Sequence, residues 1–299
     1  MLLAGLSCAF IVSSGIVKDF GRAMMGGAVA EVWSSVPVVG PWIASQMGQV
    51  SESWMPAAVG LHFLPVFFLS VWLLNQLPPP NKTDMATKTA RQPMDGQQRV
   101  SFVKHFFPGL FLLVVAYFFL TAYRDFRDNY MVEILEGLQY SYDDNQTIIT
   151  RAESLVAFGV ILAMGLLNFF RDNRTGLIAA FSVMTGGVVL LGVSTLLLEM
   201  GTISGFWWLT LTGLGSYLAY VPYGSLLFDR MIATTKVAGT AVFAIYVADA
   251  IGYTGSVGIQ LYKDLAAGEM SRLVFFKSYT WFMTFLGAFC LVVSCFYFL

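Results

Sequence analysis

Charge is scarce in this chain. Lys and Arg total 17 and Asp and Glu 18 across 299 residues, giving a formal net charge of −1. That balance excludes a nucleic-acid partner, which needs clustered Lys and Arg to meet phosphates. Histidine is nearly absent, with His62 and His105 standing far apart. The cysteines are Cys8, Cys290 and Cys295, each inside an apolar run and without CxxC or Cys/His spacing. Neither a disulfide framework nor a metal site is expected, and no cofactor motif is present. The apolar runs also hold no His/Asp pair and no activated Ser or Cys, so an enzyme is not expected. What remains is hydrophobic: 57% of residues, with aromatics alone 15% of the chain. That exceeds the roughly 45–50% usual for a soluble domain and points to a bilayer.

Eight stretches read as membrane spans: 1–16, 54–76, 102–123, 152–170, 176–198, 203–227, 238–262 and 273–299. All but the first reach about 20 residues, enough for ~30 Å of hydrocarbon at 1.5 Å per residue. No basic segment precedes 1–16, so it is not read as a signal peptide. The fold class expected is therefore all-α, a polytopic transmembrane helical bundle, lodged in a plasma or inner membrane.

The plainest boundary is 77–101. Pro78, Pro79 and Pro80 stop a helix, and Lys82, Asp84, Lys88, Arg91, Asp95 and Arg99 follow without apolar period. Three segments follow: 1–76 with two spans, a cytoplasmic linker 77–101 expected to be exposed and poorly ordered, and a bundle of six spans over 102–299. Residues 17–53 form a long connection, whose part 28–48 is broken by Glu31, Pro37 and Pro41 and reads as interfacial or re-entrant. Basic residues in 77–101, 171–175 and 228–236 place those loops and Leu299 on the cytoplasmic side. Asn81, Asn145 and Asn173 each begin an Asn-x-Thr sequon. In a glycosylating host only Asn145 should acquire a glycan. A glycan on Asn81 or Asn173, seen as a gel shift removed by glycosidase, would reverse this orientation.

Three spans carry polar stripes at helical spacing. In 238–262, Tyr246, Asp249, Tyr253, Ser256 and Gln260 step by three and four residues and share one face. A carboxylate at bilayer depth costs at least ~2.5 kcal/mol, so Asp249 should face a cavity or a partner. In 102–123 and just beyond it, Tyr117, Thr121, Arg124 and Asp128 repeat the pattern. The planar fork of Arg124 suits a carboxylate or phosphate; the competing arrangement pairs Arg124 with Asp128 at the helix end. Arg127 and Asp125 fall off the stripe and read as interfacial or gate contacts, with Glu153 a partner for Arg124 or Arg127. In 203–227, Thr212, Ser216, Tyr220 and Tyr223 share a face with Tyr217 nearby, and Pro222 should bend the helix. Tyr223 is close enough to the inner end to belong instead to an interfacial aromatic belt. The span 238–262 also has Ala244, Ala248, Gly252 and Ser256 every four residues, a groove that admits a second helix.

Six spans after a polar linker resemble the C-terminal half of a major facilitator superfamily transporter, preceded here by two helices of the N-terminal half. In that fold the first, second, fourth and fifth helices of a half line the cavity, which corresponds to 102–123, 152–170, 203–227 and 238–262. The segments 10–21, 93–96, 123–129, 217–222 and 246–253 more closely resemble an uncharacterised, mostly bacterial family of facilitator-like membrane proteins. That resemblance implies that 1–16 corresponds to the fifth helix of twelve, so about four helices would precede it in a complete member. Missing N-terminal helices or a second copy of the chain would then complete the cavity. The function expected is a secondary transporter, or a fragment of one, for a small polar solute, with an anion among the candidates. The substrate-binding or coupling residues expected are Tyr117, Thr121, Arg124, Asp128, Ser216, Tyr217, Tyr220, Tyr246, Asp249 and Tyr253. The alternative is a non-transporting membrane protein that assembles through its small-residue face. The partners expected are the lipid bilayer and the solute.

Overall fold

The computed structural model describes residues 54–76, 94–141, 148–167, 169–170, 172–235 and 240–299. The expectations for 1–53, including the span 1–16 and the re-entrant piece 28–48, lie outside them, as do those for 77–93. The chain divides into two compact units, 1–91 with 145–150, and 92–144 with 151–299.

Within the first unit, α1 (Met55–Asn75) is a helix of 21 residues that begins with proline in its first turn and carries Pro65 inside. Proline fits the first turn, where its missing N–H would have no helical partner.

The second unit begins earlier than the sequence pattern suggests. Residues Gly96–His105 form a helix, α2, rather than the end of a linker. Its start is a capping box: the Asp95 carboxylate accepts from the Gln98 amide at 2.7 Å, and Gln98 Oε1 accepts from the Asp95 amide at 3.0 Å. Arg99 Nε donates to the Met94 carbonyl, and Phe102 is buried. Polar composition alone concealed this helix; the D-x-x-Q spacing was its signature.

The chain breaks at Phe106 and restarts as α3 (Phe107–Asn129), with Pro108 in its first turn. The segment 102–123 is thus two helices, and the second runs six residues beyond 123. A short α4 (Met131–Gly137) follows, then α5 (Ile148–Leu167), α6 (Asn173–Glu199) and α7 (Gly205–Pro222). Asp172 caps α6 by accepting from the Thr175 amide at 2.8 Å, a bond that holds its carboxyl below the usual range. Helix α7 continues through a π turn, Tyr223–Leu227, into α8 (Phe228–Thr235). Pro222 has no N–H to donate, and the ladder changes register directly after it. The unit ends with α9 (Ala241–Leu265) and α10 (Arg272–Phe298).

Five of these helices, α3, α5, α6, α9 and α10, are long and apolar enough to cross a bilayer, and the described residues are helical without strands. The protein is a helical, multi-pass membrane bundle. Five of the eight spans read from sequence are among these; of the other three, 1–16 is not described, 54–76 is the uncharged 21-residue helix α1, and 203–227 became α7 with its π turn, whose Trp, Tyr, Thr and Gly residues dilute its hydropathy. Helix α9 has a mean hydropathy of 1.4 against 2.1 for α6, because it carries the Tyr and Asp stripe.

Helix α3 is the hub. It packs on α9, α10 and α7, and α6 packs on α7, α8 and α10. Hydroxyls fasten α10 to α3: Tyr279 donates to the Phe119 carbonyl, Ser294 to that of Gly109, and Tyr123 shares a hydrogen bond with Thr280. Trp208 Nε1 donates to Thr195, joining α7 to α6. Those two helices cross so closely at Gly187 and Gly215 that a Cβ on either would lie 2.5 Å from the other's carbonyl oxygen. Such packing suits a membrane, where close van der Waals contact replaces the hydrophobic drive between helices.

Candidate functional site

The last two turns of α3 hold Arg124, Asp125, Arg127 and Asp128. Because the helix continues to Asn129, these groups are part of the bundle rather than a fringe beyond it. Arg127 has no exposed surface. Its guanidinium donates to Asp128 Oδ1 at 2.9 Å, to Glu153 Oε1 of α5 at 2.6 Å and to the Leu209 carbonyl of α7 at 3.0 Å. Gly213 makes room for it, since a Cβ there would fall 2.4 Å from the guanidinium. Asp128 also accepts from the Tyr217 hydroxyl at 2.9 Å. One buried cation thus ties α3, α5 and α7 together.

Arg124 points elsewhere. Its Nε and one terminal nitrogen both donate to Asp125 Oδ1, at 3.1 and 2.6 Å. Its planar face lies 4.0 Å from the Tyr220 ring centroid and 5.9 Å from that of Tyr217. Tyr220 stacks on Tyr117 with centroids 5.2 Å apart and planes inclined by 18°. Tyr117 donates its hydroxyl to Asp249 Oδ1 of α9 at 2.5 Å.

These contacts form one continuous strip: Asp249, Tyr117, Tyr220, Arg124, Tyr217, Asp128, Arg127, Glu153. It crosses α9, α3, α7 and α5 in turn. Two guanidinium groups stand against the four carboxylates of Asp125, Asp128, Glu153 and Asp249, an excess of two negative charges. Asp249 has no cationic partner among the described residues.

The stripes on α3 and α9 meet at Tyr117 and Asp249, and Gly252 allows it. A Cβ at Gly252 would lie 2.8 Å from the Tyr117 ring and 2.9 Å from Thr121 Oγ1. The small-residue groove of α9, with Ala244, Ala248, Gly252 and Ser256 all buried, is therefore filled by α3 of the same chain. Thr121 is 1% exposed, and its hydroxyl has no partner among the described residues.

Other expected residues lie apart. Ser216 is fully buried and donates back to the Gly213 carbonyl, so it belongs to the packing of α7 and not to the strip. Tyr246 is 70% exposed and Tyr253 55% exposed; both project from the open face of α9 on either side of half-buried Asp249. Arg124 and Asp128 share a face but do not pair, because each has a nearer partner, Asp125 and Arg127. Tyr223 belongs neither to a cavity nor to an interfacial belt: it is 2% exposed and donates to the Leu113 carbonyl. Arg127, which sequence reasoning placed off the stripe as an interfacial or gate contact, is the most enclosed charge of the set and joins three helices. Of the partners considered for Glu153, the fold selects Arg127.

With the geometry in place, comparison with known proteins adds one assignment. Residues 34–299 match a family of unknown function (DUF5690). The chain belongs to that family. The DUF5690 match runs from before α1 to the end of α10 and so includes every residue of the strip. Nothing matches among the curated proteins or the solved structures.

Proposed function

We propose that this DUF5690 protein is a secondary transporter for a small polar solute, built like the C-terminal half of a major facilitator with part of the other half before it, and working by alternating access. The observation that carries this reading is the strip. It joins α3, α5, α7 and α9, the four helices that the facilitator resemblance assigns to a cavity wall, while α6 and α10 pack behind them. Ionisable groups inside membrane spans are expensive, and a linked set of them open on one side suits a solute path better than scaffolding does.

The reading places the protein in a plasma or inner membrane, with the bilayer and the solute as partners, and gives it no enzymatic role, cofactor or nucleic acid. Further helices set against the strip, or a second copy of the chain, would close the cavity. Support for an anionic solute is weakened, because Arg124 is already neutralised by Asp125. The alternative of assembly through the small-residue face of α9 is weakened too, because α3 occupies that face. Reconstituted vesicles decide the matter. Full-length protein should accumulate at least one member of a panel of labelled cationic, anionic and neutral polar solutes when an inward proton gradient is imposed. Permeability equal to that of protein-free vesicles for the whole panel would sink the proposal.

A further inference from the structure

We propose that the Asp249 end of the strip is a binding site for an organic cation, an ammonium or guanidinium group, with Asp249 as counter-ion and the exposed Tyr253 ring as its wall. The inference rests on the transporter reading and names the class of its solute. Three observations carry it.

The first is the charge excess. The four carboxylates and two guanidinium groups lie on one connected strip, and Asp125, Asp128 and Glu153 share Arg124 and Arg127. Asp249 is left with a phenol hydroxyl alone. A carboxylate within a span needs a positive partner or a proton.

The second is that the strip already shows how it holds a cation. The Arg124 guanidinium carbon lies over the Tyr220 ring, 4.0 Å from its centroid, while a carboxylate accepts from two of its nitrogens. Asp249 supplies the carboxylate, held by the Tyr117 hydroxyl, and Tyr253, one turn along α9 and 55% exposed, supplies the ring; the faces of Tyr117 and Tyr220 are already taken by each other, by Tyr223 and by Arg124. A cation over a tyrosine face gains from the ring quadrupole, and more so out of water.

The third is Thr121. Its buried hydroxyl lacks a partner among the described residues and lies against Gly252, within one turn of Asp249, an unsatisfied polar group beside the site. An inorganic dication fits less well, since it takes six or more oxygen ligands and the described residues hold no cluster of three or more metal-ligating side chains.

The test reads the site directly. Full-length protein in lipid nanodiscs is treated with a hydrophobic carbodiimide, and labelling of Asp249 is followed by mass spectrometry; Asp249→Asn supplies the blank. Tetramethylammonium or guanidinium chloride, at a millimolar concentration about four times its Kd, should slow Asp249 labelling roughly fivefold, the protection given by four-fifths occupancy. Sodium acetate and sodium phosphate at equal ionic strength should give none. Tyr253→Leu should raise the half-protecting concentration by roughly threefold while Tyr253→Phe leaves it unchanged, because the ring face and not the hydroxyl makes the contact. Protection by acetate or phosphate, or identical labelling with every additive, overturns the cation site. Uptake of the same cations into vesicles separates the two claims. Protection without uptake leaves a cation site in a protein that does not transport. Uptake of an anion or neutral solute without protection keeps the transporter and removes the cation.

Discussion

Arg127→Met is expected to destabilise the bundle by about 3 kcal/mol, the largest loss we anticipate from a single substitution. Removing one member of a buried ion pair costs about 3–5 kcal/mol because the remaining charges lose their compensation. The lower end applies here, since the Asp128 and Glu153 side chains keep 34% and 26% of their exposure and can draw on water. The variant leaves two carboxylates and the Leu209 carbonyl facing a thioether on three helices at once. The effect should fall on α5 first. It is the least buried of the five spanning helices, and its contact with Arg127 is a single ion pair through Glu153. Thermal unfolding in detergent measures the loss, and amide exchange along α5 locates it. Gly213→Ala should act in the same direction, because the guanidinium that a new Cβ would meet is enclosed and held by three bonds. Adding Asp128→Asn and Glu153→Gln to Arg127→Met should recover more than half of the stability, since removing a whole buried charge set is often close to neutral. If Arg127→Met alone unfolds like the wild type, the triad is a surface feature and the strip ends at Tyr217.

Asp249→Asn is expected to abolish accumulation driven by a proton gradient, and to weaken any cation that uses Asp249 as its counter-ion. Asn keeps the shape and can still accept from the Tyr117 hydroxyl, so the contact between α3 and α9 survives. It cannot carry a proton, which is the property that coupling uses. The in-to-out ratio reached by reconstituted vesicles should fall to about 1, where without coupling the solute only equilibrates. Arg124→Lys tests recognition. The charge stays, but the planar group that lies over Tyr220 and grips Asp125 at two nitrogens is replaced by a compact ammonium. Binding should weaken roughly tenfold, the order of one lost bidentate or stacked contact, with the coupling ratio unchanged. Wild-type accumulation by Asp249→Asn would remove the coupling role and leave Asp249 a structural hydrogen-bond acceptor. Equal losses of coupling in both variants would show that Arg124 and Asp249 act as one unit through Tyr117 and Tyr220.

Much of the fold is written locally. Apolar runs of about 20 residues, the helix-stopping prolines and the three-and-four spacing of polar residues each depend on neighbours within one or two turns. That is why α3, α5, α6, α9 and α10 were legible, along with the stripes on α3 and α9; at Pro222 the sequence showed a bend but not the π turn that follows it. The capping box at Asp95 and Gln98 was equally local and could have been read as the start of α2. The charged run Tyr123–Tyr130 also held a signal: four charges within six residues cannot all point at the interface when the helix carries on through them.

The partners were decided by the tertiary structure alone. Arg124 had two carboxylates within reach along its own helix, and nothing in the spacing says that Tyr220 on α7 would lie under its guanidinium while its nitrogens turn to Asp125. Arg127 lay off the polar stripe, and only the approach of α5 and α7, with Gly213 leaving space, turned it inward. The groove of α9 was plain in the sequence, but a groove names no occupant; α3 fills it because Tyr117 finds Asp249 there and Gly252 lets it come close. Helical period is set by short-range hydrogen bonding, which a sequence displays. Which faces meet depends on the summed packing and charge compensation of helices far apart in the chain, and that sum exists only in the folded bundle.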